Sequence, residues 1–100
     1  YKLLPEKNVA YIETLSDDEK QVLNKLYVYL RDSEKLTEKD VMEFLYSIIN
    51  DPNLTKKENQ LKQQKYFKVF YNVLFGTDMG PRLYLFLSAI DKEQYLHLLG

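Results

Sequence analysis

The chain has 100 residues and a net charge of −1, with 45% hydrophobic and 29% charged side chains, which is typical of one globular domain. It has no cysteine and one histidine, which excludes a disulfide framework and the usual zinc clusters. No apolar segment approaches the ~20 residues that span a bilayer, and no signal peptide is recognisable. We therefore expect a cytoplasmic domain with no metal and no membrane partner.

Four helix-start signals divide the chain. Capping boxes, in which a hydroxyl is followed three residues later by a glutamate, begin at Ser16 and Thr55. Looser signals begin at Thr37 and Asp91. Apolar residues recur at helical spacing after each signal. The pattern predicts helices at roughly 17–31, 38–50, 56–75 and 92–98, and one more that starts at Pro81.

No segment alternates between apolar and polar residues with the period of a strand. We therefore predict an all-α fold, a compact bundle of about five helices with short connections. Pro5 interrupts residues 1–14, so that segment is interpreted as a linker or irregular N-terminal segment before a helical domain of residues 15–100.

A corner follows the third helix, where two glycines and a proline fall within six residues. Gly76 is expected to end that helix in the left-handed conformation. Pro81 suits the first turn of the next helix, and Gly80 would permit a close approach between them. Arg82 would then lie in a first helical turn, where unpaired backbone N–H groups attract anions. Alternatively, Arg82 pairs with Asp78 or with carbonyl groups that end the preceding helix.

The predicted third helix carries a stripe of lysines. Residues 1–51 have a charge balance of −4 and residues 52–100 one of +3. Four of the helix's five lysines share a sector of about 140°, opposite an aromatic face. The five are Lys56, Lys57, Lys62, Lys65 and Lys68. The stripe is interpreted either as a solvated face or as a track for phosphate groups.

Tyrosines are frequent, with nine in the chain. Tyr29, Tyr66 and Tyr84 lie beside the inner faces of their predicted helices, so they are candidates for exposed rings. An exposed tyrosine can stack on an unpaired base, whereas a partly buried ring with a hydrated hydroxyl is the structural alternative.

Catalytic chemistry is absent from the pattern. There is no glycine-rich phosphate loop and no cysteine nucleophile. His97 falls in a last helical turn, where it favours the negative end of the helix dipole. We therefore assign no catalytic residue and no cofactor to this domain.

The segment "FYNVLFG", a short loop and then "GPRL" with "FL" and "AI" behind it resembles the C-terminal end of class I lysyl-tRNA synthetases. Gly76, Gly80, Arg82, Leu83 and Phe86 contribute to the match, as does the proline of "GPRL". The resemblance implies a helical anticodon-binding domain of a larger enzyme that attaches lysine to its tRNA using ATP. The catalytic domain of that enzyme would lie upstream.

The combined hypothesis is that this fragment binds the anticodon arm of a lysine-accepting tRNA and contacts its own upstream catalytic domain. Phosphate contacts would come from Lys62, Lys65 and Lys68. Arg82 would contact a phosphate or a base edge, and Tyr66 or Tyr84 would stack on a base. The alternative is a helical protein–protein interaction module whose tyrosine-rich face docks a partner domain.

Overall fold

The computed structural model describes residues 2–100, and within them it is all-α, which confirms the predicted fold class. The described residues form six α-helices, and a short 3₁₀ turn, Lys92–Gln94, precedes the last of them. The helices are α1 (Val9–Glu13), α2 (Asp17–Asp32), α3 (Glu38–Ile49), α4 (Lys56–Phe75), α5 (Leu83–Ala89) and α6 (Leu96–Leu99).

Helix starts follow the capping signals in the sequence. Ser16 Oγ accepts a hydrogen bond from Glu19 N at 3.2 Å, and the Glu19 carboxylate accepts one from Ser16 N at 3.0 Å. Thr55 and Glu58 form the same reciprocal pair, with both bonds at 3.1 Å. Thr37 Oγ1 accepts from the third residue of α3 at 3.1 Å. The predicted starts of α2, α3 and α4 are therefore confirmed to the residue.

The second half of α4 lies at the centre of the molecule. This helix contacts α1, α2, α3 and α6, while α3 packs chiefly against α5 and α2 against α6. Side chains with no solvent exposure come from all the longer helices and from the C-terminal segment, and they include Leu26, Leu30, Val41, Leu45, Ile49, Phe70, Val73, Leu74, Leu87, Tyr95 and Leu98. The apolar stripes in the sequence thus meet in one core.

Two side chains of the C-terminal segment form hydrogen bonds with the rest of the fold. The buried Tyr95 hydroxyl donates a hydrogen bond to the Leu87 carbonyl at 2.8 Å. Lys92 Nζ donates to the carbonyl oxygens of Arg31 and Ser33, at 2.9 and 2.7 Å. Because these carbonyls lie at the C-terminal end of α2, the lysine satisfies groups that the helix leaves unpaired.

The N-terminal segment, expected to be a linker or irregular, contains α1 and contacts α4. Asn8 caps α1 and donates its side-chain amide to the Asn72 carbonyl at 3.3 Å. Leu4 N donates to the Leu74 carbonyl at 2.8 Å, and the Leu4 side chain packs against the core. Tyr1 belongs to the same expected segment but lies outside the described residues. The domain boundary at residue 15 stays a prediction.

The corner after α4 differs from the expectation in one respect. Gly76 ends α4 with a φ of 75°, in the left-handed region as predicted. However, α5 begins at Leu83 and not at Pro81, because Arg82 has a ψ of 112° and occupies the N-cap position. The Pro81 carbonyl accepts a hydrogen bond from the Tyr71 hydroxyl at 2.8 Å. This contact joins the end of the corner to α4.

Candidate nucleic-acid interface

The lysines of α4 separate into two groups in the folded chain. Lys62 and Lys65 line one wall of a groove between α2 and α4. Lys68 points elsewhere, because its ammonium lies 3.7 Å from Asp78 Oδ2 in an exposed ion pair at the corner. Within residues 2–100, neither Lys62 nor Lys65 forms a salt bridge. Two cations of the predicted stripe are therefore free to bind an anion at the same groove.

The groove between α2 and α4, called the α2–α4 groove below, has a volume of about 720 Å³. Its walls combine apolar, acidic and basic side chains. They are Ser16, Asp18, Gln21, Val22, Lys25, Leu54, Glu58, Leu61, Lys62, Lys65 and Tyr66. Such a mixture suits a ligand that has both an apolar surface and charged or polar groups.

Charges on α2 face the lysines of α4. The pKa of Glu19 is lowered: burial would raise it, but hydrogen bonds from Ser16 and the positive charge of Lys65 outweigh burial. The Lys65 ammonium also lies 6.0 Å from the centroid of the Tyr66 ring. Lys65 is thus held near the groove by an aromatic face and by a nearby carboxylate, without a direct ion pair.

Tyr66 is buried, so the expectation that its ring is exposed is wrong. Only 4% of the residue is accessible, and the ring contributes to the floor of the α2–α4 groove. Burial raises its pKa, and the carboxylates of Glu19 and Asp18 add to that shift. A base cannot stack on the face of a ring that the protein already covers. Helical periodicity placed Tyr66 beside the inner face but could not show that α2 covers it.

Tyr84 is half-buried and already has partners. Its hydroxyl lies 2.7 Å from the Tyr46 hydroxyl, and its ring packs edge-to-face against Phe67 with centroids 5.8 Å apart. Burial, followed by the hydrogen bond with Tyr46, raises the pKa of Tyr84. Tyr29, the third candidate ring, stacks in parallel on Phe44 with centroids 3.9 Å apart. Tyr84 and Tyr29 therefore keep only part of their ring surface accessible.

Arg82 forms a contact that the sequence did not predict. Its Nη1 atom lies 3.4 Å from Glu38 Oε1, at the start of α3, and the arginine side chain is 69% exposed. The alternative in which Arg82 pairs with Asp78 is not observed, because that carboxylate contacts Lys68 and accepts a hydrogen bond from Asn72 at 2.8 Å. The expected position in a first helical turn is also wrong, since α5 begins at Leu83, one residue after Arg82.

The site residues predicted from the sequence do not form one cluster. Lys62, Lys65 and the buried Tyr66 meet at the α2–α4 groove, whereas Lys68, Arg82 and Tyr84 are outside its lining. Sequence reasoning missed Leu61, which is 58% exposed in this groove. The sequence did contain an indication of this residue, because Leu61 is the one large apolar residue in the polar first half of α4.

A second, smaller groove lies between α2 and α3. Its volume is about 360 Å³, and it is lined by Lys25, Val28, Tyr29, Phe44 and Ile48. Four of these five side chains are apolar or aromatic, and all four are only partly buried. The structure therefore presents an apolar surface next to the α2–α4 groove, with Lys25 on the border between the two.

Residues 2–100 bring no three histidine, aspartate or glutamate side chains together in a way that could hold a metal ion. None of the described helices combines the length and the apolar composition needed to cross a bilayer.

Known proteins with a similar sequence have one function in common. A lysine–tRNA ligase of Borrelia garinii subsp. bavariensis is 27% identical to this chain over 96 residues, which cover 95% of the chain. The resemblance to lysyl-tRNA synthetases is confirmed. Lysine–tRNA ligases of Picrophilus torridus and Pyrococcus horikoshii are 28% and 22% identical to it, each over 79% of the chain.

This chain spans only 14% to 17% of the length of these three lysine–tRNA ligases. The similarity therefore concerns a small part of each relative. No protein-family model matches the chain, and no solved structure matches it.

Proposed function

We propose that this chain is a cytoplasmic tRNA-binding domain that holds the anticodon arm of a lysine-accepting tRNA. The observation that carries the proposal is the similarity to lysine–tRNA ligases across nearly the whole chain, with only about a sixth of the relative covered. The activation and transfer of lysine, with bound ATP, belong in this proposal to the remaining part of such an enzyme. The domain itself needs no cofactor, and its partners are the tRNA and the catalytic domain.

The free lysines of the α2–α4 groove support RNA binding. Lysine side chains that neutralise phosphates supply affinity that does not depend on sequence, and that affinity falls as salt is added. Lys62 and Lys65 have no competing salt bridge within the described residues, so they contact phosphates in this proposal. Lys68 and Arg82 are exposed and are held only by surface ion pairs, which an RNA phosphate can replace at little cost. Tyr84 offers the accessible part of its ring to a base.

The direct test is a fluorescence anisotropy titration of this chain with a lysine tRNA anticodon stem-loop at several salt concentrations. Affinity should fall steeply with salt. The double variant Lys62→Ala/Lys65→Ala should bind more weakly, and the slope of log Kobs against log salt should be shallower by about 1.4, or 0.7 for each lost contact.

The matched control for that titration is Lys35→Ala/Lys39→Ala, which removes two exposed lysines outside both grooves. This variant should keep the affinity and the slope of the unmodified chain. If the stem-loop does not bind, or if both double variants behave alike, the proposed role of the α2–α4 groove is wrong.

A second candidate function is supported by the apolar groove between α2 and α3. Partly exposed apolar surface on a small domain often marks a protein contact, and here the partner would be the catalytic domain of the same synthetase. The variant Ile48→Lys should abolish that contact without changing the stem-loop titration. Chemical-shift changes confined to α2 and α3, when the labelled chain is mixed with the catalytic domain, would support this alternative; their absence would contradict it.

A further inference from the structure

The α2–α4 groove has an apolar surface that the phosphate track does not explain. Leu61 is 58% exposed there, although it lies among the polar residues of the first half of α4. The partly buried Leu54 continues the apolar surface at the same groove, whereas Val22, which also lines it, is 8% exposed and belongs to the core. Leu61 is too exposed to belong to the core, so its packing surface is available to a ligand.

The polar groups of the groove also exceed what a phosphate requires. Within the described residues, the side chains of Asp18 and Gln21 form no hydrogen bond or ion pair. Asp18 can only accept hydrogen bonds when ionised, and Gln21 can both donate and accept. A carboxylate repels a bare phosphate but can accept a hydrogen bond from the amino or imino edge of a base. The volume of about 720 Å³ is typical of a pocket for a small organic group.

These features occur together with the two free lysines. A nucleotide in single-stranded RNA presents an apolar base face, a polar base edge and an anionic phosphate within one unit. Single-stranded RNA is usually recognised by bases that are turned out, packed on side chains and hydrogen-bonded at their edges. The groove has a complementary group for each of these three parts, whereas an acidic peptide would place its carboxylates against Asp18 and Glu58.

We propose that the α2–α4 groove is a pocket for one unpaired RNA base. The base packs on Leu61, its edge faces Asp18 and Gln21, and the adjoining phosphates lie at Lys62 and Lys65. This inference rests on the proposed function, because the RNA is assumed to be the anticodon arm, but it adds where a base would bind and which side chains would contact it.

The test uses anticodon stem-loops of a lysine tRNA in which one loop nucleotide at a time is abasic. Such an RNA keeps its phosphates but lacks one base. For the unmodified chain, one of the abasic positions should weaken binding roughly tenfold, because the apolar packing and the edge hydrogen bonds of one base are lost. In Leu61→Ala, the intact stem-loop should bind roughly tenfold more weakly, and the same abasic change should have little further effect.

The matched control is Leu85→Ala, which truncates a leucine of similar exposure, 50%, on α5 outside the groove. The abasic change should weaken RNA binding by Leu85→Ala roughly tenfold, as it does for the unmodified chain. Circular dichroism of each variant checks that the helices are retained. Gln21→Ala provides a second variant, and it should also reduce the effect of that abasic position.

Several outcomes would overturn the base pocket, and they can be told apart from failure of the proposed function. In one outcome, the stem-loop binds with the expected salt dependence, but each abasic change lowers the affinity of Leu61→Ala and of the unmodified chain by the same factor. The base pocket is then wrong, and the tRNA-binding function stands. If no stem-loop binds, both are wrong. If Leu61→Ala weakens binding to the catalytic domain of the synthetase but not to RNA, the groove is a protein contact instead.

Discussion

Gly80 is the residue whose small size the corner between α4 and α5 requires. A Cβ atom at this position would lie 2.7 Å from Tyr71 Cδ1 and 2.9 Å from Tyr71 Cε1, which is closer than carbon atoms pack. The ring cannot move away freely, because its hydroxyl donates a hydrogen bond to the Pro81 carbonyl at 2.8 Å. The sequence predicted a close approach at Gly80, and this expectation is confirmed.

Gly80→Ala should therefore lower the free energy of unfolding by about 1–3 kcal/mol, the usual cost of overpacking. Urea unfolding followed by circular dichroism measures the change. Met79→Ala is the matched control, because Met79 is 73% exposed at the same corner and should change the free energy by less than about 0.5 kcal/mol. Equal stabilities for Gly80→Ala and the unmodified chain would show that Tyr71 does not restrict the corner.

Arg82 joins α5 to α3 through an ion pair that solvent reaches from both sides. The side chains of Arg82 and Glu38 are 69% and 42% exposed, so the pair contributes little to folding. Arg82→Gln and Glu38→Gln should each change the free energy of unfolding by less than about 1 kcal/mol. In the stem-loop titration, however, Arg82→Gln should weaken binding several-fold, and Glu38→Gln should not.

That difference separates the two roles considered for Arg82. A purely structural ion pair would give two variants with equal losses of stability and unchanged RNA affinity. An RNA contact would give a loss of affinity that only the arginine substitution produces. If both variants lose RNA affinity equally, the effect comes from the packing of α5 on α3, and Arg82 does not contact RNA.

At the scale of the helix, the sequence predicts starts better than it predicts surroundings. The start of α4 follows from Thr55 and Glu58, which interact with each other within one helical turn. The start of α5 does not follow from local signals: it lies at Leu83, two residues after Pro81, whose carbonyl accepts a hydrogen bond from Tyr71, ten residues earlier in the chain. Capping depends on residues within one helical turn and can be predicted from the local sequence, whereas contacts between helices depend on how the whole chain packs.

The capping box of α4 makes a measurable prediction about this helix. Thr55→Ala removes the acceptor for Glu58 N and should lower the free energy of unfolding by about 1 kcal/mol. Ser47→Ala is a suitable control: Ser47 donates to the Phe44 carbonyl within α3, a bond that competes with helix geometry and gives little net stability. Urea titrations of both variants would contradict the prediction if Ser47→Ala were the more destabilised protein.

At the scale of the molecule, one part of the candidate site could be predicted from the sequence and another part could not. The lysines of α4 were visible as a stripe, because helical periodicity alone fixes their relative directions. The groove could not be predicted from the sequence, since it depends on the approach of α2 to α4. In the folded chain Tyr66 is buried and Leu61 is exposed. The similarity to lysine–tRNA ligases could be recognised from the corner motif.

The stability of the whole fold should also depend on pH in the alkaline range. Burial, and secondarily the charge of Asp91, raises the pKa of Tyr95 from 10.0 to about 12. Between these values the unfolded chain loses the phenol proton more readily than the folded chain does. The free energy of unfolding should therefore be fully retained below pH 10 and fall as the pH rises toward 12.

Tyr95→Phe tests the cause of this decline. At pH 8 the variant should be less stable by about 1 kcal/mol, because it lacks the hydrogen bond to the Leu87 carbonyl. Above pH 10 its free energy of unfolding should fall less steeply with pH than that of the unmodified chain. Some decline will remain, because burial also raises the pKa of Tyr84. Urea titrations at pH 8, 10 and 11 measure both slopes, and identical slopes would show that the ionisation of Tyr95 is not coupled to unfolding.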